Sequence, residues 1–293
     1  MDQLTTYAVT SLDGVAFGLL LFTVGAGLAL IFGVMDIMNL AHGTLYLVGA
    51  YVAATLSGGG LLALGVALAV GLAVGAGGGA ALSFVLRPLG REGSHLDEAL
   101  VTLGIAFIAA DGMTAAFGAA PMQTHVPTAL EGSISLGIHA YPVYRLVFIG
   151  VAALVAVLLH VAVRRSTPGK MLRATISDPD MAAASGIDTG RVRTAALAVG
   201  GALAVGAGVL GAPLLGPGPG VDNTVLVLSL IVVVVGGAGS IPGTLLAALL
   251  VGQVQTIGVV TAPALAPFAL FGAMLIVLVL RGRTTAVVAG RPA

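Results

Sequence analysis

Apolar residues run in blocks along this chain. Long apolar stretches fall near 15–35, 44–57, 61–86, 97–118, 143–163, 194–212, 223–238, 244–260 and 265–280, separated by polar strings. Most approach the about 20 residues an α-helix needs to cross a hydrocarbon core, and no period-two strand alternation accompanies them. The pattern predicts an all-α integral membrane protein, a polytopic helical bundle of about 8–10 transmembrane helices. Stretch 44–57 is barely long enough to cross. Only 119–142 and 164–193 are sizeable connections, and neither is large enough to fold alone, so residues 1–293 read as a single transmembrane domain.

Two places break the pattern. Asp36-Ile37-Met38-Asn39-Leu40-Ala41-His42-Gly43 places an acid, an amide and an imidazole between two apolar runs. Unpaired polar groups at membrane depth cost several kcal/mol each, so such a string persists where it faces protein or a water-filled cavity. It reads as a break in a membrane helix beside a translocation route; the plain alternative is a short cytoplasmic turn. Roughly 200 residues later comes Gly236-Gly237-Ala238-Gly239-Ser240-Ile241-Pro242-Gly243, and both breaks lead into Gly-Thr-Leu. Paired glycine- or proline-interrupted segments point to a transporter's pathway. The candidate pathway residues are therefore Asn39, His42, Gly43, Gly239, Ser240, Pro242 and Gly243. The two segments run in the same direction, so no inverted repeat is inferred, and chance remains an alternative for three shared residues in a Gly/Leu-rich chain.

Composition sharpens this. Hydrophobic residues make up 58% and charged residues 8%, with mean hydropathy +1.11, where a soluble domain would carry about a quarter charged residues. The bilayer is thus the first partner. Zero net charge argues against a nucleic-acid partner, and the absence of cysteine excludes disulfides and thiolate chemistry. Gly71, Gly75 and Gly79, four residues apart, mark close helix packing. The first fourteen residues hold no Lys or Arg and no cleavage pattern follows, so the first helix is expected to be retained.

Basic residues set the orientation. Arg87 and Arg91, then Arg164, Arg165, Lys170, Arg173, Arg191 and Arg193, then Arg281, Arg283 and Arg291 fall in three regions that positive-inside logic assigns to the cytoplasm. Loop 119–142 then lies outside, with Arg145 as the exception. The N-terminus is expected outside and the C-terminus in the cytoplasm.

Loop 164–193 is polar and too long for a hairpin turn. Ser177 or Asp178 followed by Pro179 signals a helix start, Asp180 complements its dipole, and Gly186 ends it. The expected result is a short small-residue helix at the cytoplasmic mouth, a docking surface for a soluble partner built on Asp180, Ala182, Ala183 and Gly186. A membrane-surface helix anchored by flanking basic residues is the alternative.

Other polar residues carry weaker signals. Asn39 suits bridging unwound backbone, since its amide both donates and accepts. Asp111 is an intramembrane acid. Gln253 and Gln255 either join helices or line the route, while His95, Asp97 and Glu98 read as a helix start. No metal-ligand spacing or catalytic constellation is legible, so the chain is not read as an enzyme.

Three blocks resemble the membrane permeases of branched-chain amino acid ABC importers. GVMDIMNLAHGTLYLVGAY (33–51) is similar to that family's glycine–x–x–asparagine–aromatic–alanine–histidine–glycine region, although Leu40 stands where an aromatic is common and Thr44 where an acidic or other polar residue is frequent. DPDMAAASGIDTGRVRTAALAVGGALAVGAG (178–208) resembles its cytoplasmic coupling loop and following helix, and VVVVGGAGSIPGTLLAALLVG (232–252) its second glycine-rich break. The resemblance implies a permease in a bacterial inner membrane, paired with a second permease subunit as a homo- or heterodimer. It further implies cytoplasmic ATPase subunits that dock on loop 164–193 and an extracytoplasmic substrate-binding protein. No cofactor is implied; ATP would be used by the partners, because this chain contains no G-x-x-x-x-G-K-[ST] phosphate loop. The substrate class would be branched-chain or related amino acids. The alternatives are another small solute, such as a sugar, urea or an amide, or a secondary transporter or channel working without ATP.

Overall fold

In a membrane every backbone polar group must be satisfied within its own segment, and this dictates helices wherever the chain is apolar. The computed structural model describes residues 2–35, 39–88, 95–136 and 139–265, with 268, 270–272, 274–276 and 279 beyond them. Asp36, Arg91, Arg281, Arg283 and Arg291 lie outside the described residues, as does part of stretch 265–280. The helices are α1 (Asp2–Met35), α2 (His42–Leu56), α3 (Leu61–Leu86), α4 (His95–Phe117) and α5 (Val143–Arg165). They continue as α6 (Thr167–Ser177), α7 (Pro179–Ala184), α8 (Thr189–Gly211), α9 (Val221–Gly236) and α10 (Ile241–Thr261). Among the described residues, six of these are long and apolar enough to cross a membrane: α1 from Thr6, α3, α4 from Leu96, α5, α8 and α10. The 15-residue α2 and 16-residue α9 are shorter.

Three features depart from the sequence reading. Helix α1 begins well before residue 15, because its polar first turns are satisfied internally: Thr10 donates to the Thr6 carbonyl, and Asp13 pairs with Arg145 at the start of α5. Loop 119–142 holds a small antiparallel hairpin, β1 (Ser133–Leu136) with β2 (His139–Pro142), in which Ile134 faces Tyr141 across the ladder. Loop 164–193 contains two helices rather than one. The additional α6 starts at a Ser166 cap, whose hydroxyl accepts from the Gly169 N–H at 3.0 Å, with Pro168 in the first turn.

α1 is the most enclosed span and α8 the next. α8 lies against α1, α2 and α3, and glycine makes these approaches close. On α3, a Cβ added at Gly75 or Gly79 would overlap the carbonyl oxygens of Gly201 or Leu197, and one at Gly71 would stand 2.8 Å from the Val209 side chain. Between α1 and α8, a Cβ at Gly27 would meet Gly200 Cα at 3.0 Å. With lipid tails as apolar as leucine, such backbone-to-backbone packing supplies the attraction that water supplies in soluble proteins. α4, by contrast, is mostly exposed along its length. It touches the first break through Thr102, whose hydroxyl accepts from the Leu40 N–H, and α2 through Phe117, which stacks on Tyr51.

Candidate functional site

The first break returns into the bundle. His42 opens α2, is fully buried, and places Nε2 3.0 Å from the Val24 carbonyl oxygen, which accepts its hydrogen bond. Val24 lies eleven residues before α1 ends at Met35, about 16 Å along the axis at 1.5 Å per residue. The start of α2 therefore lies beside the middle of α1 rather than beyond its Met35 end, as in an interrupted membrane segment and unlike a surface turn. Asn39 is buried; its Oδ1 accepts from the Ala41 N–H at 3.1 Å, a local turn that replaces the helical bonds lost at the break. Asn39 Nδ2 and His42 Nδ1 are buried without a partner. With Nε2 donating to Val24, this leaves one potential donor and one potential acceptor enclosed at the first break.

The second break sits nearer the Met35 end of α1. Gly237 and Gly239 take positive φ values of 92° and 75°, which side chains resist. The Gly239 N–H donates to the Ala29 carbonyl at 3.1 Å, six residues before α1 ends. Ser240 then caps α10, its hydroxyl accepting from the Gly243 N–H at 3.2 Å, and Pro242 occupies the first turn, exposed.

Both breaks contact α1, the first at the Val24 carbonyl and the second at the Ala29 carbonyl. Their shared Gly-Thr-Leu does the same work twice. A Cβ at Gly43 would overlap the Asp222 carbonyl in the first turn of α9, and one at Gly243 would overlap the Gly236 carbonyl at its last residue. The two glycines clasp the ends of α9, and the threonines that follow, Thr44 and Thr244, are both buried.

At the Met35 end, α7 is capped on both sides. Asp178 Oδ1 accepts from the N–H groups of Asp180 and Met181 at 3.1 and 2.9 Å. At the other end Gly186, at φ 84°, closes the helix: the Ile187 N–H donates to the Ala182 carbonyl and the Gly186 N–H to the Ala183 carbonyl. Asp180, Ala183 and Gly186 are exposed, whereas Ala182 is buried. Met181, 64% exposed, stands on the free face instead; sequence reading passed over it, although a large apolar residue in a polar loop was its signal.

Thr102 and Asp222, which hold the first break in place, were also missed, because the partners of a break come from distant segments. Gln253 joins α10 to α1, donating to the Ser11 carbonyl at 2.9 Å. Glu98, buried in the first turn of α4, lies 3.9 Å from Arg193 at the start of α8. Asp111 is exposed on α4.

Among the described residues, six apolar spans that include an enclosed central helix, with two interrupted segments packed on that helix, define a multi-pass membrane protein. The chain belongs to the branched-chain amino acid transport system / permease component family, whose model matches residues 11–280. It is similar to the high-affinity branched-chain amino acid transport system permease protein BraD of Pseudomonas aeruginosa, at 28% identity over 275 residues, 88% of each chain. LivH of Escherichia coli K12, which carries the same description, is 26% identical over 87% of each chain, and LivH of Salmonella typhimurium is 25% identical. No solved structure matches.

Proposed function

We propose that this chain is the membrane-embedded permease subunit of an ATP-driven importer of branched-chain or related amino acids, working with a second permease subunit. Cytoplasmic ATPases would engage α7, and a binding protein would deliver substrate on the opposite side. The observation that carries this reading is α7 itself: a helix of under two turns, capped at both ends, with Ala182 buried, and presenting Met181, Ala183 and Gly186 outward between spans α5 and α8. A self-contained carrier has less need of such a capped, exposed helix. Asn39, His42, Gly43, Gly239, Ser240, Pro242 and Gly243 would form or control the pathway, with the N-terminus outside and the C-terminus in the cytoplasm. ATP would be hydrolysed by the partners.

Co-purification and vesicle uptake test the assignment. The complex should retain its ATPases and import leucine, isoleucine or valine only with ATP and binding protein. Because the chain has no cysteine, single thiols introduced at Ser185 and at Glu131 report sidedness cleanly. Labelling of Ser185→Cys from outside intact cells would refute the docking role.

A further inference from the structure

The α6–α7 pair reaches the second break through one side chain. Ile176 lies in the last turn of α6, two residues before the Asp178 cap of α7. Its Cδ1 is 3.4 Å from where a Cβ on Gly33 would stand and 3.6 Å from the corresponding point on Gly239; its Cγ2 is also 3.6 Å from the latter. Gly33 belongs to the final turn of α1, and Gly239 is the left-handed residue just before the Ser240 cap of α10. A single isoleucine therefore fills the notch between the end of α1 and the linker that sets where α10 begins. The two glycines also touch each other, with Gly239 Cα and N 2.8 and 3.1 Å from where a Cβ on Gly33 would stand, so Ile176 packs over a direct glycine–glycine seam between α1 and the linker.

α6 also has room beside it. An apolar cleft of about 320 Å³ borders it, lined by Leu30, Leu159, Val163, Leu172, Val192 and Val199 from α1, α5, α6 and α8. The cleft is open on one side, so this flank of α6 is not packed against the spans. α6 and α7 are joined without slack, because the Asp178 N–H bonds the Ala174 carbonyl at 3.0 Å while its side chain caps α7. A displacement of α7 is thereby carried to Ile176. The glycine-rich linker is the compliant element it meets, since residues 237 and 239 sit in a region of backbone space that glycine crosses at little cost.

We propose that Ile176 is the positioning residue through which movement of α7 is transmitted to the second break, pressing on Gly239 to shift the start of α10 against α1. The proposal rests on the reading of α7 as the ATPase-docking helix. With the full complex in vesicles, Ile176→Ala should leave assembly and ATP hydrolysis near the wild-type level. Substrate moved per ATP should fall by about fivefold or more, the lower end of typical coupling between sites. Ile176→Val, which keeps the branched shape, should restore most of the ratio and serves as the test if the alanine variant fails to assemble. In the otherwise cysteine-free chain, the thiol of Ile176→Cys should react with a maleimide at rates differing several-fold between the nucleotide-free and vanadate-trapped states. An unchanged transport-to-ATP ratio in both variants, or equal labelling rates in the two states, would overturn the proposal. Failure of the wild-type chain to bind any ATPase would instead overturn the functional reading beneath it.

Discussion

Replacing Gly43 with alanine should separate the first turn of α2 from the first turn of α9. The added Cβ would overlap the Asp222 carbonyl oxygen and stand 2.7 Å from Leu226 Cβ and 3.1 Å from the Asp222 carbonyl carbon. Backbone atoms cannot give way as a side-chain tip can, so one of the two helices must move. Overpacking of this kind costs about 1–3 kcal/mol. Gly77, on α3, has nothing within 4 Å of its would-be Cβ, so Gly77→Ala should gain about 0.5–1 kcal/mol from helix propensity alone. The same chemical change at two helical glycines should therefore differ by about 1.5–4 kcal/mol in stability. Equilibrium unfolding in a single detergent, titrated with SDS and followed by circular dichroism, measures that difference directly. Uptake in vesicles should fall for Gly43→Ala and hold for Gly77→Ala. A Gly43→Ala protein as stable as Gly77→Ala would refute the clasp between the first break and α9.

Four further outcomes follow from the same geometry. His42→Leu removes the donor to Val24 and should lower stability by about 1 kcal/mol as well as uptake, measured by SDS unfolding and vesicle transport, whereas His42→Gln, which still donates, should recover part of both. Ala183→Glu on the exposed face of α7 should abolish ATPase co-purification with little change in melting, while Ala182→Glu, on the buried face, should lower the melting temperature of the permease itself. Asp178→Ala removes the α7 cap and should destabilise that turn by about 1 kcal/mol, seen as faster amide exchange at residues 179–184. The partly exposed Asp13–Arg145 pair should show a coupling below about 1 kcal/mol in a double-mutant cycle of Asp13→Asn and Arg145→Gln.

Hydrophobic periodicity, charge placement and glycine spacing carried the membrane class, the near-complete helical content and the positions of both breaks, because in lipid the backbone has one economical way to bond itself and the sequence need only say where the apolar stretches stop. The α7 caps were likewise legible, since Asp178, Pro179 and Gly186 act on their immediate neighbours. Depth and partnership were not. Nothing local to Asn39–His42 says that the chain climbs back to Val24, that Thr102 and Asp222 wait there, or that the two Gly-Thr-Leu segments hold opposite ends of one helix. Nor does the loop sequence say that Ala182 turns inward while Met181 turns out, or that Ile176 falls into the notch at Gly33 and Gly239. Those are long-range contacts, fixed by which helices lie side by side; the sequence supplies the glycines that permit close approach, and only the assembled bundle decides what approaches them.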